Sequence, residues 1–200
     1  EGAFILSNGT VKVANADIAT YVGGCETNLT PWVLEAEAPS SADAATGLLS
    51  LQGGVFSTAG DVVVGQDGNG TIEVGENGAL FARTLDLRAS AAEEGRPAHA
   101  ATVKFKAGAA TCGRITLSGA LKSQGDVRWE FDLSDWDGQK RLRFLSCNGL
   151  EGSPVDWDSI VLIGVEKSDF SQAGGSRYVF RQTAKGISIG KATGSMVVIR

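Results

Sequence analysis

A short internal repeat at residues 61–87, DVVVGQDGNGTIEVGENGALFARTLDL, constrains the fold more than any other feature of this sequence. A shift of ten residues carries Val62 onto Ile72 and Gly65 onto Gly75. Each copy is an alternating apolar strand followed by a turn of Gly, Asp and Asn, residue types that tolerate a positive φ. Short strands repeated in this way indicate a solenoid, in which each coil buries its inward side chains on the next.

A second periodicity, of twelve residues, aligns Val103 with Ile115 and Val127. A triangular β-solenoid needs roughly 20 to 30 residues per coil, so each short unit would form only part of a coil. We therefore expect an all-β protein, a right-handed parallel β-helix with a β-rich C-terminal cap.

Two alternatives use the same strands differently. Residues 62–64 would pair with residues 71–74 as a single β-hairpin across a six-residue loop. Throughout the chain, strands paired in this manner would form an antiparallel β-sandwich. The neighbours of Val64 and Val74 distinguish these folds from a solenoid, because hairpin partners run antiparallel.

Composition and strand pattern divide the chain into two regions. Residues 1–126 are expected to form the coils, with a loop excursion near 26–45, where prolines and serines are frequent. Residues 127–200 carry longer alternating strands and bulkier side chains, and we interpret them as β-rich terminal coils and the cap that a solenoid requires. Trp129 and Phe131 are expected to bury their rings between the last coil and this cap.

Composition and charge bear on the partners to be expected. The chain has 27 glycines, only four prolines and a formal net charge of −5. This balance fits many tight turns, and it gives no reason to expect a nucleic-acid partner. No apolar run reaches the roughly 18 residues of a membrane-spanning helix, so we expect no membrane insertion within this chain. Its three cysteines, at positions 25, 112 and 147, lack the CxxC spacing of a metal site.

Candidate catalytic groups were sought among the histidine, the serines and the carboxylates. The single histidine, His99, lies in a loop rich in Ala, and no GxSxG motif accompanies any serine. Acidic residues flank tryptophans in two DWD motifs, a combination that glycoside hydrolysis or sugar binding would use; the residues are Asp132, Asp135, Trp136 and Asp137 in the first, and Asp156, Trp157 and Asp158 in the second. The same motifs are equally typical of turns beside strands, with Trp covering the end of a core. We favour the turn and predict no catalytic, cofactor-binding or metal-binding residues.

Two weaker motifs have simpler explanations. The DGNG sequence at residues 67–70 is similar to calcium-binding turns but lacks the further acidic ligands of an EF-hand, so we predict a plain turn. Sequons begin at Asn8, Asn28 and Asn69 and would permit N-glycosylation in a eukaryotic secretory pathway.

The stretch GLLSLQGGVFSTAGDVVVGQDGNGTIEVGENGALFARTLDL resembles the glycine-punctuated strand repeats in passenger regions of bacterial autotransporter-type surface proteins. The terminal GISIGKATGSMVVIR is similar to the closing strands of such passengers, whereas the three cysteines depart from their pattern. The resemblance implies a parallel β-helix outside the cell or on a bacterial cell surface. The implied function is that of an adhesin, and some members carry an inserted enzyme.

From these observations we expect a non-enzymatic extracellular surface module, adhesive or structural, without a cofactor. Its partner would be a host or environmental glycan or a surface protein. The alternative is a carbohydrate-binding or polysaccharide-degrading β-helix protein.

Overall fold

The computed structural model describes residues 2–23, 45–66, 68–92, 98–152, 155–171 and 177–192. These residues form short strands joined by turns, with one 3₁₀ turn at Lys167–Asp169. In chain order the strands are β1 (Gly2–Leu6), β2 (Thr10–Val13), β3 (Thr20–Val22), β4 (Ala45–Leu51), β5 (Val55–Thr58), β6 (Val62–Val64), β7 (Gly68–Val74), β8 (Ala79–Ala82), β9 (Leu85–Arg88), β10 (Ala101–Lys106), β11 (Arg114–Leu117), β12 (Ala120–Gln124), β13 (Arg128–Asp132), β14 (Leu142–Ser146), β15 (Gly149–Gly152), β16 (Ile160–Ile163), β17 (Phe170–Ser171), β18 (Tyr178–Thr183) and β19 (Gly186–Lys191).

Three sheets run along the molecule. Sheets A and C take every third strand of the chain, and sheet B does so from β2 to β17 and also contains β18 and β19. Sheet A has the order β1-β4-β7-β10-β13-β16, and sheet C has the order β15-β12-β9-β6-β3. Sheet B has the order β17-β18-β19-β14-β11-β8-β5-β2. All pairs in sheets A and C are parallel, as are those from β2 to β14 in sheet B. The predicted all-β class and parallel β-helix are therefore confirmed.

The core consists of apolar ladders that follow the stack of coils. On sheet A, Leu49 pairs with Ile72, Ile72 with Val103 and Val103 with Trp129, all on the inner face. Alternate residues of each strand point inward, so one ladder fills the interior from coil to coil. The interior is therefore a packed core of apolar side chains.

The hairpin and sandwich alternatives are wrong. Val64 pairs in parallel with Val22 and Leu87, whereas Val74 pairs in parallel with Leu51 and Phe105. A ten-residue step from β6 to β7 thus moves the chain around a corner to the next sheet. It does not turn the chain back on itself.

The twelve-residue spacing also marks corners, but it does not give the stacking register. Val103 pairs with Trp129 and not with Val127. Ile115 lies between them on sheet B, where it pairs with Leu80 and Leu145. The coil from Val103 to Trp129 is therefore slightly longer than two such steps.

The parallel order ends at β19, the one strand that runs opposite to its neighbours among the described strands of sheet B. Strand β19 is antiparallel to both β14 and β18, and together they form the C-terminal end of the sheet. Phe131 is fully buried and its ring lies 5.4 Å from Phe105 and 5.9 Å from Phe180 of β18. Trp129 is buried too, with its ring stacked on Phe105 at 6.5 Å, so the predicted burial of both side chains is confirmed.

The division of the chain near residue 126 stays a prediction. Sheet A continues through this point, since β13 pairs with both β10 and β16. The predicted loop excursion near 26–45 lies outside the described residues, apart from Ala45 at the start of β4.

Candidate functional site

The carboxylates of the first DWD motif are held in turns. Asp132 ends β13, and its Oδ1 accepts a hydrogen bond from the main-chain N–H of Ser134 at 3.0 Å. Asp137 Oδ1 accepts one from Gln139 N–H at 2.8 Å. Side chains of Asp that bind an N–H two residues ahead stabilise a turn.

Asp135 forms an ion pair on the surface. Its Oδ2 lies 3.3 Å from the Lys106 ammonium, and hydrogen bonding with Asp135 raises the pKa of Lys106. Both side chains are at least half exposed, so the pair is screened by water. Turns and this ion pair therefore account for all three carboxylates of the motif.

Trp136 is not an exposed platform for a sugar ring. It is buried, its indole N–H donates to Lys140 O at 3.0 Å, and its ring lies 4.8 Å from Tyr178. An indole with a satisfied N–H and an apolar face against the core is typical of structural tryptophan.

The second DWD motif has the same construction. Asp156 Oδ1 accepts a hydrogen bond from Asp158 N–H at 3.1 Å, which closes a further turn. Trp157 is half-buried and lies 5.4 Å below the ammonium of Lys167. Lys167 also donates to the main-chain oxygen of Asp158 at 3.1 Å, so the cation is fixed above the ring.

An aromatic cluster brings the two motifs together through their rings. Tyr178 touches Trp136, and it also lies 5.3 Å from Phe170. Phe170 lies 6.1 Å from Trp157, whose ring in turn lies 5.4 Å from Phe180. The tryptophans thus belong to one core, as the turn interpretation of the motifs predicts.

His99 contacts a serine that the sequence did not single out. Its Nδ1 lies 3.1 Å from Ser90 Oγ, and the two residues exchange main-chain hydrogen bonds as an isolated antiparallel bridge. Ser90 Oγ also donates to Ala91 O at 3.2 Å. Among the residues that the structure describes, no carboxylate hydrogen-bonds to His99, and the third member of a triad is therefore not present there. This pair closes the loop between β9 and β10.

The candidate calcium turn is only partly described. Asp67 lies outside the described residues, while Asn69 stands in β7 and its Oδ1 accepts a hydrogen bond from Ala100 N–H at 3.0 Å. Within the described ranges, no group of three or more His, Cys, Asp or Glu side chains is arranged to hold a metal ion.

Two of the cysteines are buried thiols. Cys112 Sγ donates to Arg143 O at 3.6 Å, and burial raises the pKa of this thiol to about 11. Cys147 Sγ donates to Ala184 O, also at 3.6 Å. Cys25 lies outside the described residues. A neutral, buried thiol is a poor nucleophile, so Cys112 acts as a small core residue.

The outer face of sheet A carries a charged groove that the sequence analysis missed. A depression of about 500 Å³ lies beside the outward side chains of successive coils; the charged residues that line it are Glu73, Glu76, Lys104, Lys106, Glu130 and Asp132. Glu73, Lys104 and Glu130 occupy one row, since Glu73 pairs with Lys104 and Lys104 with Glu130. The Lys104 ammonium lies 3.0 Å from Glu73 Oε1. Glu73, Lys104 and Glu130 each alternate with buried neighbours in their own strands. This alternation in the sequence could have predicted that the three side chains lie on the outer face.

Comparisons with known proteins found no match to any family, any curated protein or any solved structure. Within the described parts of the chain, no helix has the length and apolar character needed to cross a bilayer.

Proposed function

We propose that this protein is a non-enzymatic surface module, adhesive or structural, that acts outside the cell. The observation that carries the proposal is the row of charged side chains along the outer face of sheet A, from Glu73 to Glu130. Residues paired in a parallel sheet repeat about every 4.8 Å, so the row presents regularly spaced polar groups to a long partner.

The packing supports a binding role on the surface. Side chains such as Leu51, Val74 and Phe105 are almost fully buried and fill the interior of the coils. The carboxylates of both DWD motifs take part in turns and a surface ion pair. The groove on sheet A therefore offers hydrogen-bonding groups without an enclosed chamber for a reaction.

The resemblance of residues 47–87 to autotransporter passengers supports a location on a bacterial cell surface. A bacterial surface protein of that type meets a glycan or a surface protein of its host or environment, and the charged groove suits either partner. Formal net charge of −5 argues against nucleic acid as the partner.

Binding to a glycan array and to bacterial or host cell surfaces tests this proposal. We expect saturable binding that Glu73→Gln with Glu130→Gln weakens. Glu151→Gln, at an exposed carboxylate of sheet C, is the control and should leave binding unchanged. Absence of binding to every surface and glycan would contradict the adhesive role.

A polysaccharide-degrading enzyme is the second candidate. The observation in its favour is that Glu76, Glu130 and Asp132 line one groove, and pairs of carboxylates cleave glycosidic bonds. Release of reducing sugar from a panel of polysaccharides distinguishes the two functions. Turnover that Glu130→Gln or Asp132→Asn abolishes would replace our proposal with this one.

A further inference from the structure

Positive charge is segregated onto sheet B. Within the residues that the structure describes, the strands of this sheet contain no Asp or Glu, although the whole chain has a net charge of −5. Its basic residues are Lys12, Arg114, Arg143, Arg181 and Lys191. Sheets A and C, in contrast, contain ion pairs between acidic and basic residues that lie opposite each other on adjacent strands. Examples are Lys104 with Glu73 and Lys122 with Glu151.

Two arginines of sheet B flank a serine in one row across the antiparallel strands. Arg143 of β14 lies opposite Ser188 of β19, which in turn lies opposite Arg181 of β18. Side chains of directly opposed residues project from the same face of a sheet. An irregularity in β14 between Arg143 and Leu145 buries both Phe144 and Leu145 and leaves Arg143 exposed.

A third arginine is fixed beside them. Arg141 donates to Ser188 Oγ from Nε at 3.1 Å and from Nη2 at 2.7 Å. A Cβ added at Gly190 would lie only 3.0 Å from Arg141 Cγ. Gly190 thus leaves room for the Arg141 side chain to lie across β19 and reach the serine.

The depression beside this row presents hydrogen-bond donors. Its volume is about 290 Å³, and it is lined by Arg141, Arg143, Thr183, Gly186, Ile187 and Ser188. Ser188 is buried and its Oγ accepts from Arg141, so it holds that arginine in place. Thr183 is exposed and its Oγ1 accepts from Lys185 N–H at 3.2 Å, which leaves the Thr183 hydroxyl proton free to point to a ligand.

The guanidinium groups themselves are not neutralised. Arg143 Nη2 donates to the main-chain oxygen of Lys185 at 3.0 Å, and Arg141 binds a neutral hydroxyl. Within the described part of the chain, Arg141, Arg143 and Arg181 form no ion pair. A site of cations and a hydroxyl donor is complementary to anionic oxygen atoms.

The row extends along the stack and ends near an exposed ring. Arg114 stands on β11, next to β14, so Arg114, Arg143 and Arg181 span three strand spacings, or roughly 14 Å. Phe81 lies on β8, beside β11, and 40% of its surface is exposed. Phe81 is opposite Thr116, two residues along the strand from the position opposite Arg114, so its ring lies to one side of the arginine row. Guanidinium groups beside an apolar ring fit a linear polymer whose units combine an acidic group with an apolar sugar face.

We propose that Arg114, Arg143, Arg181 and Thr183 form a binding site for a linear acidic polysaccharide. Carboxylate or sulfate groups would accept hydrogen bonds from the arginines, and one sugar ring would lie on Phe81. This inference rests on the proposed role as a surface module and specifies one class of ligand for it.

Affinity measurements on the whole chain test the site. The probes are a polyuronate, a sulfated glycosaminoglycan, neutral dextran and single-stranded DNA, each titrated by calorimetry at low and high salt. The test variant is Arg143→Gln with Arg181→Gln. The control variant, Lys122→Gln with Arg128→Gln, removes the same charge from sheets C and A. Melting temperatures of both variants establish that they are folded.

We expect salt-sensitive binding to one or both acidic polymers and none to dextran, with the preferred polymer showing whether carboxylate or sulfate is recognised. The test variant should bind at least about tenfold more weakly, and the control should stay within about twofold of the unchanged chain. Equal losses in both variants, tighter binding to DNA, or no binding to either acidic polymer would overturn the site. Adhesion through sheet A that persists in the test variant would still support the surface module.

Discussion

At the scale of single residues, glycines allow the chain to turn from one sheet to the next. Gly125 follows β12 with a φ of +71°, and a Cβ placed there would collide with the main-chain oxygen of Ala89. Gly9 has a similar φ of +89°, but no atom lies within 4 Å of its added Cβ. An alanine at Gly9 would therefore destabilise the fold through the left-handed conformation alone, whereas an alanine at Gly125 would add a steric clash.

Gly125→Ala should lower the free energy of unfolding by more than about 2 kcal/mol, since it adds a clash to left-handed strain. Gly9→Ala should lower it by about 1 kcal/mol through strain alone. Urea titration of both variants measures the difference. Equal effects would show that the contact between Gly125 and Ala89 is not tight in solution.

A second residue pair links stability to pH. The Arg83 guanidinium donates to both oxygens of Asp61 at 2.8 Å, and this hydrogen bonding lowers the pKa of Asp61 from its usual 3.8. A carboxylate whose pKa is lower in the folded protein than in the unfolded chain stabilises the fold at any pH above its unfolded-state pKa. This contribution is lost as the pH falls through its folded-state pKa.

Asp61→Asn should therefore lower the free energy of unfolding at pH 7 by up to about 1 kcal/mol, a limit set by the partial exposure of the pair. The difference from the unchanged chain should shrink below about pH 4. Thermal melts from pH 2.5 to 7 measure it. Arg83→Gln should show the same dependence, and a difference that stays constant down to pH 2.5 would contradict the assignment.

At the scale of elements, aromatic contacts join the parallel coils to the antiparallel end. The ring of Phe131 on β13 lies 5.4 Å from Phe105 on β10, 5.0 Å from Phe144 on β14 and 5.9 Å from Phe180 on β18. Removal of this ring therefore takes a contact from two strands of the coils, β10 and β14, and from one terminal strand, β18.

Phe131→Ala should lower the free energy of unfolding by about 3 to 5 kcal/mol, because the ring is fully buried and leaves a cavity. Phe81→Ala, at an exposed ring on the outer face of sheet B, is the matched control and should cost about 0.5 kcal/mol or less. Chemical denaturation of both variants tests this. Similar small effects would mean that the ring of Phe131 is not packed as described.

Local patterns in the sequence predicted the elements and their class, but not their partners. The Gly-rich turns after Val64 and Val74 mark corners, and the alternation within each strand marks the inner face. Stacking depends on the length of each coil, which varies because segments such as residues 89–100 are inserted between strands. The coil after that insertion is also longer than the twelve-residue spacing suggests, since Val103 pairs with Trp129, two positions beyond the residue that the spacing aligns with it.

Local sequence patterns likewise predicted the roles of single side chains in the candidate sites, but not the groups of residues that the fold brings together. Turn roles for Asp132 and Asp137 could be predicted, because an aspartate binds an N–H only two residues away. The row of Arg143, Ser188 and Arg181 could not, because β19 lies between β14 and β18 only in the folded sheet. Alternation shows that each arginine points outward and does not show which neighbours it acquires.

At the scale of the whole molecule, the sheets have different surfaces around one core. Sheet A mixes acids with bases, whereas the strands of sheet B are basic without acids. Because charge on an outer face does not affect packing of the inner face, the two surfaces can differ in charge without altering the coils.

Removal of everything after Asp126 tests whether the terminal strands stabilise the coils. The shortened chain would keep β10, β11 and β12 but lose the strands that pair with their outer edges, β13, β14 and β15. Unpaired main-chain groups and newly exposed side chains such as Phe105 would face water. We expect this chain to aggregate or unfold, as measured by light scattering after size-exclusion chromatography and by thermal melts. Addition of residues 127–200 as a separate chain should reduce the aggregation if the two parts pair as they do here. A shortened chain that stayed monomeric and melted at the temperature of the whole protein would instead show two independent domains, and the stabilising role of the terminal strands would be excluded.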